Sequence, residues 1–325
     1  MSIVQASFAS DAVYLAQTLT PSQFFEVFLW YYLSLAASRV IFGYAADWLG
    51  SGVLLRASLV FQLLANLLTG FAHDWASASV GRLLRGLATN AMIIGVLEGA
   101  SHAHFRKLYG LTELAMAAGY SAAYVAPRQY AYVAYSVSTL FFVFTKPPSA
   151  AAAPRLTISK SIVPIAVSES FLNAGLALTV PIALKLSVGD LLMPGVLALA
   201  VLTRAVVQLA SQRALGAAEV AVIRTAEAAM LYSMSYLHDY AAAVLYLAVN
   251  AFAGYYRPSV GLLIRKAAHR AGDLGFHYFL RDVGSLTGSL LGIWLGADVF
   301  KGIALCYLSS AAVLAFLVKS PPART

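Results

Sequence analysis

The sequence predicts an all-α membrane protein, twelve transmembrane helices in two pseudo-symmetric six-helix bundles, and three observations carry that prediction. Of 325 residues, 60% are apolar and 11% charged, with a mean hydropathy of +0.76. A soluble domain carries about 25% charged residues, so this chain lacks the polar groups to cover a water-facing surface of its size. Apolar stretches broken by short polar or Gly/Pro punctuation give twelve spans. They lie near 2–19, 23–44, 53–73, 76–99, 107–126, 129–145, 161–182, 189–210, 217–237, 240–263, 274–296 and 299–318. Spans of about 20 residues occupy roughly 240 positions, leaving no room for a separate soluble domain. A soluble enzyme or a nucleic-acid binder is excluded despite the net charge of +8.

The basic residues supply the third observation. With both termini cytoplasmic, Arg56, Arg106, Lys107, Lys146, Arg155, Lys160, Arg213, Arg265, Lys266, Arg270, Lys319 and Arg324 fall on the cytoplasmic side. Only Arg128, Lys185 and Lys301 fall outside, a strong positive-inside bias. The expected place is the cell membrane, crossed many times, with the lipid bilayer as surroundings. The other seven of the 22 basic residues lie within spans.

Taken in order, span 1 carries Asp11 about nine residues from its start, near the bilayer midplane, with Ser7 and Ser10 beside it. No Lys or Arg precedes its apolar stretch and Asp11 interrupts it, so it does not read as a secretory signal. Span 4 carries Arg82 and Arg85, about 9–14 Å in from the outside at 1.5 Å per residue. At spacing i, i+3 they share a helix face, which suits an anionic substrate group or a neighbouring carboxylate. Residues 146–160, rich in Pro and Ala, read as a cytoplasmic linker between an N-terminal bundle (1–145) and a C-terminal bundle (161–325). At an offset of 165, Arg39 matches Arg204, His104 matches His269, Gly110 matches Gly275 and Gly119 matches Gly284. Span 7 repeats the pattern of span 1, with Glu169 near the midplane among Ser168, Ser170 and Asn173.

An ionisable group inside a span is costly unless it faces a polar cavity or a partner. Asp11 and Glu169 are therefore candidates for proton or substrate handling, or for ion pairs with Arg82 or another arginine. Arg39, Arg204, Arg224 and Arg257 lie toward cytoplasmic ends, where a long side chain can snorkel. Glu26, Glu98, Glu113, Glu227 and the Arg281–Asp282 pair lie nearer helix ends or compensate one another. Gly284, Gly288, Gly292 and Gly296, and on span 5 Ala115, Gly119, Ala122, Ala123 and Ala126, form stripes that let helices approach closely.

Residues 43–56, GYAADWLGSGVLLR, and 82–89, RLLRGLAT, resemble the major facilitator superfamily. Gly43, Asp47 and Gly50 match its Gly-x-x-x-Asp-Arg-x-Gly-Arg-Arg loop between spans 2 and 3. Trp48, Ser51 and Gly52 depart from it, and Arg56 stands as a substitute basic residue. Arg82 and Gly86 match its Arg-x-x-x-Gly element in span 4. The resemblance implies two halves that rock about a central cavity lined by spans 1 and 7, with Arg82 facing that cavity. Family members have more residues before the acidic position, so a longer first span is also implied. It makes Asp47 a cytoplasmic gate, stabilised by the helix N-terminus at the start of span 11, with Arg281 a further partner; the alternative is a solvated helix end. Spans 5 and 11 would meet the opposite half, so their stripes serve either rocking or static packing.

The expectation is thus a secondary transporter of a small organic solute, proton-coupled, working as a monomer, with an uncoupled facilitator or a transport-inactive receptor or assembly subunit as alternatives. No enzymatic activity is expected: the charges are scattered singly, and acidic clusters for Mg²⁺ and pyrophosphate are missing. There is no Walker-type phosphate loop, no His-x-x-x-His pair, and a single cysteine, Cys306, so neither a cofactor nor a metal is expected. The Gly-Pro antiporter signature is absent, since Tyr120 follows Gly119. Four Asn and seven Gln hint at a thermophilic source.

Overall fold

The computed structural model describes residues 2–49, 51–97, 102–143, 159–178, 182–211, 213–267, 271–295 and 298–319. Among these are twelve α-helices and no strand: α1 (Ser2–Thr18), α2 (Pro21–Leu49), α3 (Ser51–Gly70), α4 (Trp75–Leu97), α5 (His102–Val125), α6 (Arg128–Val143), α7 (Ile162–Leu178), α8 (Ile182–Ala210), α9 (Ala217–Ser233), α10 (Asp239–Ala267), α11 (Ala271–Leu295) and α12 (Val299–Lys319). One 3₁₀ turn, Met234–Tyr236, follows α9. By length and apolar composition, segments of three of them can cross a membrane: Gly52–Gly70, Ala183–Ala210 and Val299–Phe316.

Two boundaries differ from the sequence reading for physical reasons. The GYAADWL segment continues α2 to Leu49 instead of forming a loop, since nothing in it breaks a helix before Gly50. The helix expected from 189 is preceded by a helical segment from Ile182, and the two meet at a break at Gly189, whose φ of 79° and ψ of 166° are not helical. Pro194 lacks an N–H for the carbonyl of Asp190 and its ring crowds that carbonyl, so the chain bends just before, where glycine tolerates it.

The chain forms two compact units, Met1–Arg155 with Asp190–Leu202, and Leu156–Gly189 with Thr203–Thr325. In the first, α1 packs on α5, α4 on α2 and α3, and α3 on α6. Gly119 of α5 lies so close to the Ala6 carbonyl of α1 that a β-carbon there would collide with it. Ser10 Oγ donates to the Gly119 carbonyl at 2.7 Å and Tyr14 to that of Ala126 at 2.7 Å. Arg128 donates to the carbonyls of Thr69 and Ala72 at the end of α3, where helix carbonyls lack partners. Asp74 caps α4: its Oδ1 accepts from the Ser77 N–H at 2.7 Å and the Ser77 hydroxyl at 2.8 Å. Those donors hold its carboxyl below the usual range.

In the second unit, α7 packs on α11 and α12, and α9 on α12 and α10. Gly284 and Gly288 of α11 press on the carbonyls of Ser170 and Ala174 of α7. Part of the glycine stripe thus serves packing within the unit. Leu215, Val220, Ala221, Ala253, Tyr256, Val260, Ala311 and Leu314 form an apolar core among α9, α10 and α12. In both units the polarity is inverted relative to a soluble protein. Large apolar side chains such as Val125, Leu191, Trp294 and Phe316 face outward, while Asp11, Arg82, Arg85, Arg224 and Glu227 are fully buried.

Candidate functional site

Among the described residues, each unit buries a cluster of charge. In the first, α1 supplies the anion and α4 the cations. One turn apart, Arg82 and Arg85 both reach Asp11: Arg85 Nε stands 2.6 Å and Arg82 Nη1 3.3 Å from Oδ2. Arg85 Nη2 donates to Oδ1 at 3.3 Å, so its planar fork spans both carboxylate oxygens. Arg85 Nη1 also donates to Ser7 Oγ at 2.5 Å. That hydroxyl accepts from Gln62 Nε2 of α3 at 2.9 Å as well, and Gln62 donates to Asn66.

Arg82 is held differently. None of its guanidinium nitrogens makes a hydrogen bond within the described residues. Instead the group lies 4.0 Å from the ring centre of Phe28 and 4.8 Å from that of Phe8, with Tyr31 at 5.7 Å. Aromatic faces attract a cation electrostatically, the more so away from water. One carboxylate and two guanidiniums leave this cluster with a formal excess of one positive charge.

In the second unit the cation comes from α9. Arg224 Nη2 donates to Glu169 Oε1 of α7. Nη1 donates to Ser168 Oγ at 2.9 Å and to Ser310 Oγ of α12 at 2.6 Å. The guanidinium also lies 5.1 Å from the ring centre of Tyr256. Asn173 does not serve the carboxylate; it donates to the Glu169 main-chain carbonyl at 2.7 Å. Glu227, one turn from Arg224, is fully buried, and neither of its carboxylate oxygens has a hydrogen bond among the described residues. Glu169, Glu227 and the Arg224 guanidinium make up this cluster, and the charge of Arg257 on α10 acts on both carboxylates.

No protein-family model matches the chain, and no curated protein matches it in sequence. The sites therefore stand on their geometry.

Of the residues singled out from sequence, Asp11, Arg82 and Arg85 are brought together, and Glu169 is joined to Arg224 within the other unit. Arg224 does not snorkel. It is fully buried, and Arg39 and Arg204 are buried too, with Arg204 Nη1 donating to Asn250 Oδ1 at 3.3 Å. Arg224, Glu227 and Tyr256 are the site residues that sequence reasoning missed. The available signal was the spacing of Arg224 and Glu227, the same i, i+3 relation that marked Arg82 and Arg85. Among the gating candidates, Arg56 is exposed on α3, and Arg281 is ion-paired with its neighbour Asp282 at 3.8 Å and lies over Tyr278. Gly43 and Asp47 fall within α2, with the Asp47 side chain outside what is described, and 146–158 of the linker lie outside the described residues. No group of three or more His, Cys, Asp and Glu suited to a metal occurs among the described residues.

Proposed function

We propose that the chain is a secondary transporter of the major facilitator type, moving a small organic solute by alternating access with proton coupling. The observation that carries this reading is a buried charge cluster in each of two helical units whose outer faces are apolar. Charge inside a membrane is expensive and is kept where it binds or moves something. Midplane sites between repeated bundles are the pattern of such transporters. Further support comes from the pairing order, first helix with fifth and third with sixth in each set of six, and from the match at Gly43, Asp47, Gly50, Arg82 and Gly86.

In this reading the chain is a multi-pass monomer in the cell membrane with both termini cytoplasmic. Asp11, Arg82, Arg85 and Glu169 handle solute and protons, and Asp47 biases the cytoplasmic gate with Gly43, Arg56 and Arg281. Buried arginines and carboxylates suit a solute that carries a polar or charged group. The test is flux into liposomes holding the purified protein, with a pH gradient imposed and a broad solute panel. Solute accumulation that collapses with a protonophore is expected. Counterflow without accumulation would leave an uncoupled facilitator. No movement of any solute would overturn transport and favour a receptor or assembly subunit, for which the closed pairing of Asp11 with both arginines speaks.

A further inference from the structure

Three buried acidic or basic groups in the second unit have different standing. Arg224 spends both terminal nitrogens on Glu169, Ser168 and Ser310. Glu169 is thereby neutralised by a direct ion pair. Among the described residues Glu227 has no such partner, although it is fully buried and lies on the same face of α9 as Arg224. The groups that act on it are Arg224 of α9, Tyr256 and Arg257 of α10, and Tyr307 of α12. Tyr256 does so short of hydrogen-bond geometry. Glu169 of α7, itself beside His277, reaches this group through Arg224 and Tyr256. An ionised carboxylate shut away from water and without donors is so costly that it is relieved by taking up a proton. Glu169, held by an ion pair and a charge-assisted hydrogen bond, has no such need.

We infer that Glu227 is the proton-binding carboxyl of the second unit, while Glu169 is the fixed counter-ion that keeps Arg224 turned away from it. The step is one proton added to a carboxylate oxygen of Glu227 and later returned to water, with no other bond changed. Proton binding at Glu227 stands on the geometry alone; its use in coupling rests on the transporter reading. The two arms of the experiment separate these.

The first arm is infrared difference spectroscopy of the detergent-purified full chain across a pH titration, read in the carbonyl region of protonated carboxylic acids. Expected is a titrating band in the wild type that is lost in E227Q, kept in E169Q, and kept but shifted in E227D. A wild type without such a band, an E227Q spectrum like the wild type, or loss of the band in E169Q instead would overturn the inference. E227D retains the carboxyl and covers the case in which E227Q does not fold. The second arm is proton-driven uptake in liposomes, where E227Q is expected to lose accumulation altogether. Accumulation by E227Q equal to the wild type would overturn the coupling role. A wild type that moves no solute would instead overturn the transporter reading, with the spectroscopic arm still deciding on the proton site.

Discussion

In the first unit the cations come from α4, at Arg82 and Arg85, and outnumber the single carboxylate of α1. In the second, Arg224 of α9 pairs with Glu169, and Glu227 lies one turn along with Arg257 of α10 acting on both carboxylates. Around these differences the framework is alike. A glycine on the fifth helix of each set presses on a main-chain carbonyl of the first, Gly119 on Ala6 and Gly284 on Ser170. A third-helix side chain donates to a first-helix serine, Gln62 to Ser7 and Arg224 to Ser168. Backbone contact thus sets the pairing of helices, and the charge is placed on it independently. A first-helix serine takes a guanidinium in both units, from Arg85 of α4 beside the Gln62 amide in the first and from Arg224 of α9 in the second, so the cation arrives from a different helix in each.

The largest expected effect tests that difference directly. D11N leaves two buried guanidiniums without a counter-charge, and breaking a buried pair this way costs about 3–5 kcal/mol. E169Q is expected to cost less, about 1.5–3 kcal/mol. Arg224 keeps both serine hydroxyls and still has Glu227 one turn away. Thermal unfolding of the two variants in one detergent measures the gap. Equal losses would mean that the charge excess does not distinguish the units.

Next in size is a pair of variants that tests the shared framework. G119A and G284A each drive a β-carbon into a main-chain carbonyl, and such overpacking typically costs about 1–3 kcal/mol. The helices must move apart, since a carbonyl, unlike a flexible side chain, cannot swing away. Similar losses of melting temperature in both are expected. A tolerated substitution in one unit alone would show that the first and fifth helices do not pack equivalently.

Helix positions were legible in the sequence because apolar runs and Gly/Pro punctuation report burial and backbone freedom locally. The expected spans and the helices agree along most of the chain. The face shared by Arg82 and Arg85 was legible too, since i, i+3 spacing fixes it. The partner of that face was not. Asp11 lies 74 residues from Arg85, and no periodicity in one helix reports which helix packs beside it. Arg224 was misread for a related reason. A lone arginine in an apolar span looks the same whether it reaches the interface or turns inward to a carboxylate 55 residues earlier. Residues 45–49 read as a loop because the resemblance places one after span 2, whereas Ala and Leu favour a continuing helix.

A last pair of variants compares a neutral hydrogen bond with a charged one. In the first unit Ser10 Oγ shares a 2.7 Å hydrogen bond with the Tyr135 hydroxyl while donating to the Gly119 carbonyl. Y135F removes one neutral bond, leaves the serine with its other partner, and should cost about 0.5–1.5 kcal/mol. In the second unit Ser310 Oγ accepts from Arg224 at 2.6 Å. S310A removes a bond to a charged group, with an expected cost of about 1.5–3 kcal/mol. The order of the two, measured by chemical denaturation, is the informative quantity. If Y135F cost as much as S310A, Arg224 would draw its stabilisation from Glu169 alone, and the serines would serve packing instead of solvating the guanidinium. If S310A cost clearly more, the hydroxyls share in holding Arg224 toward Glu169, and so in keeping it from a direct ion pair with Glu227.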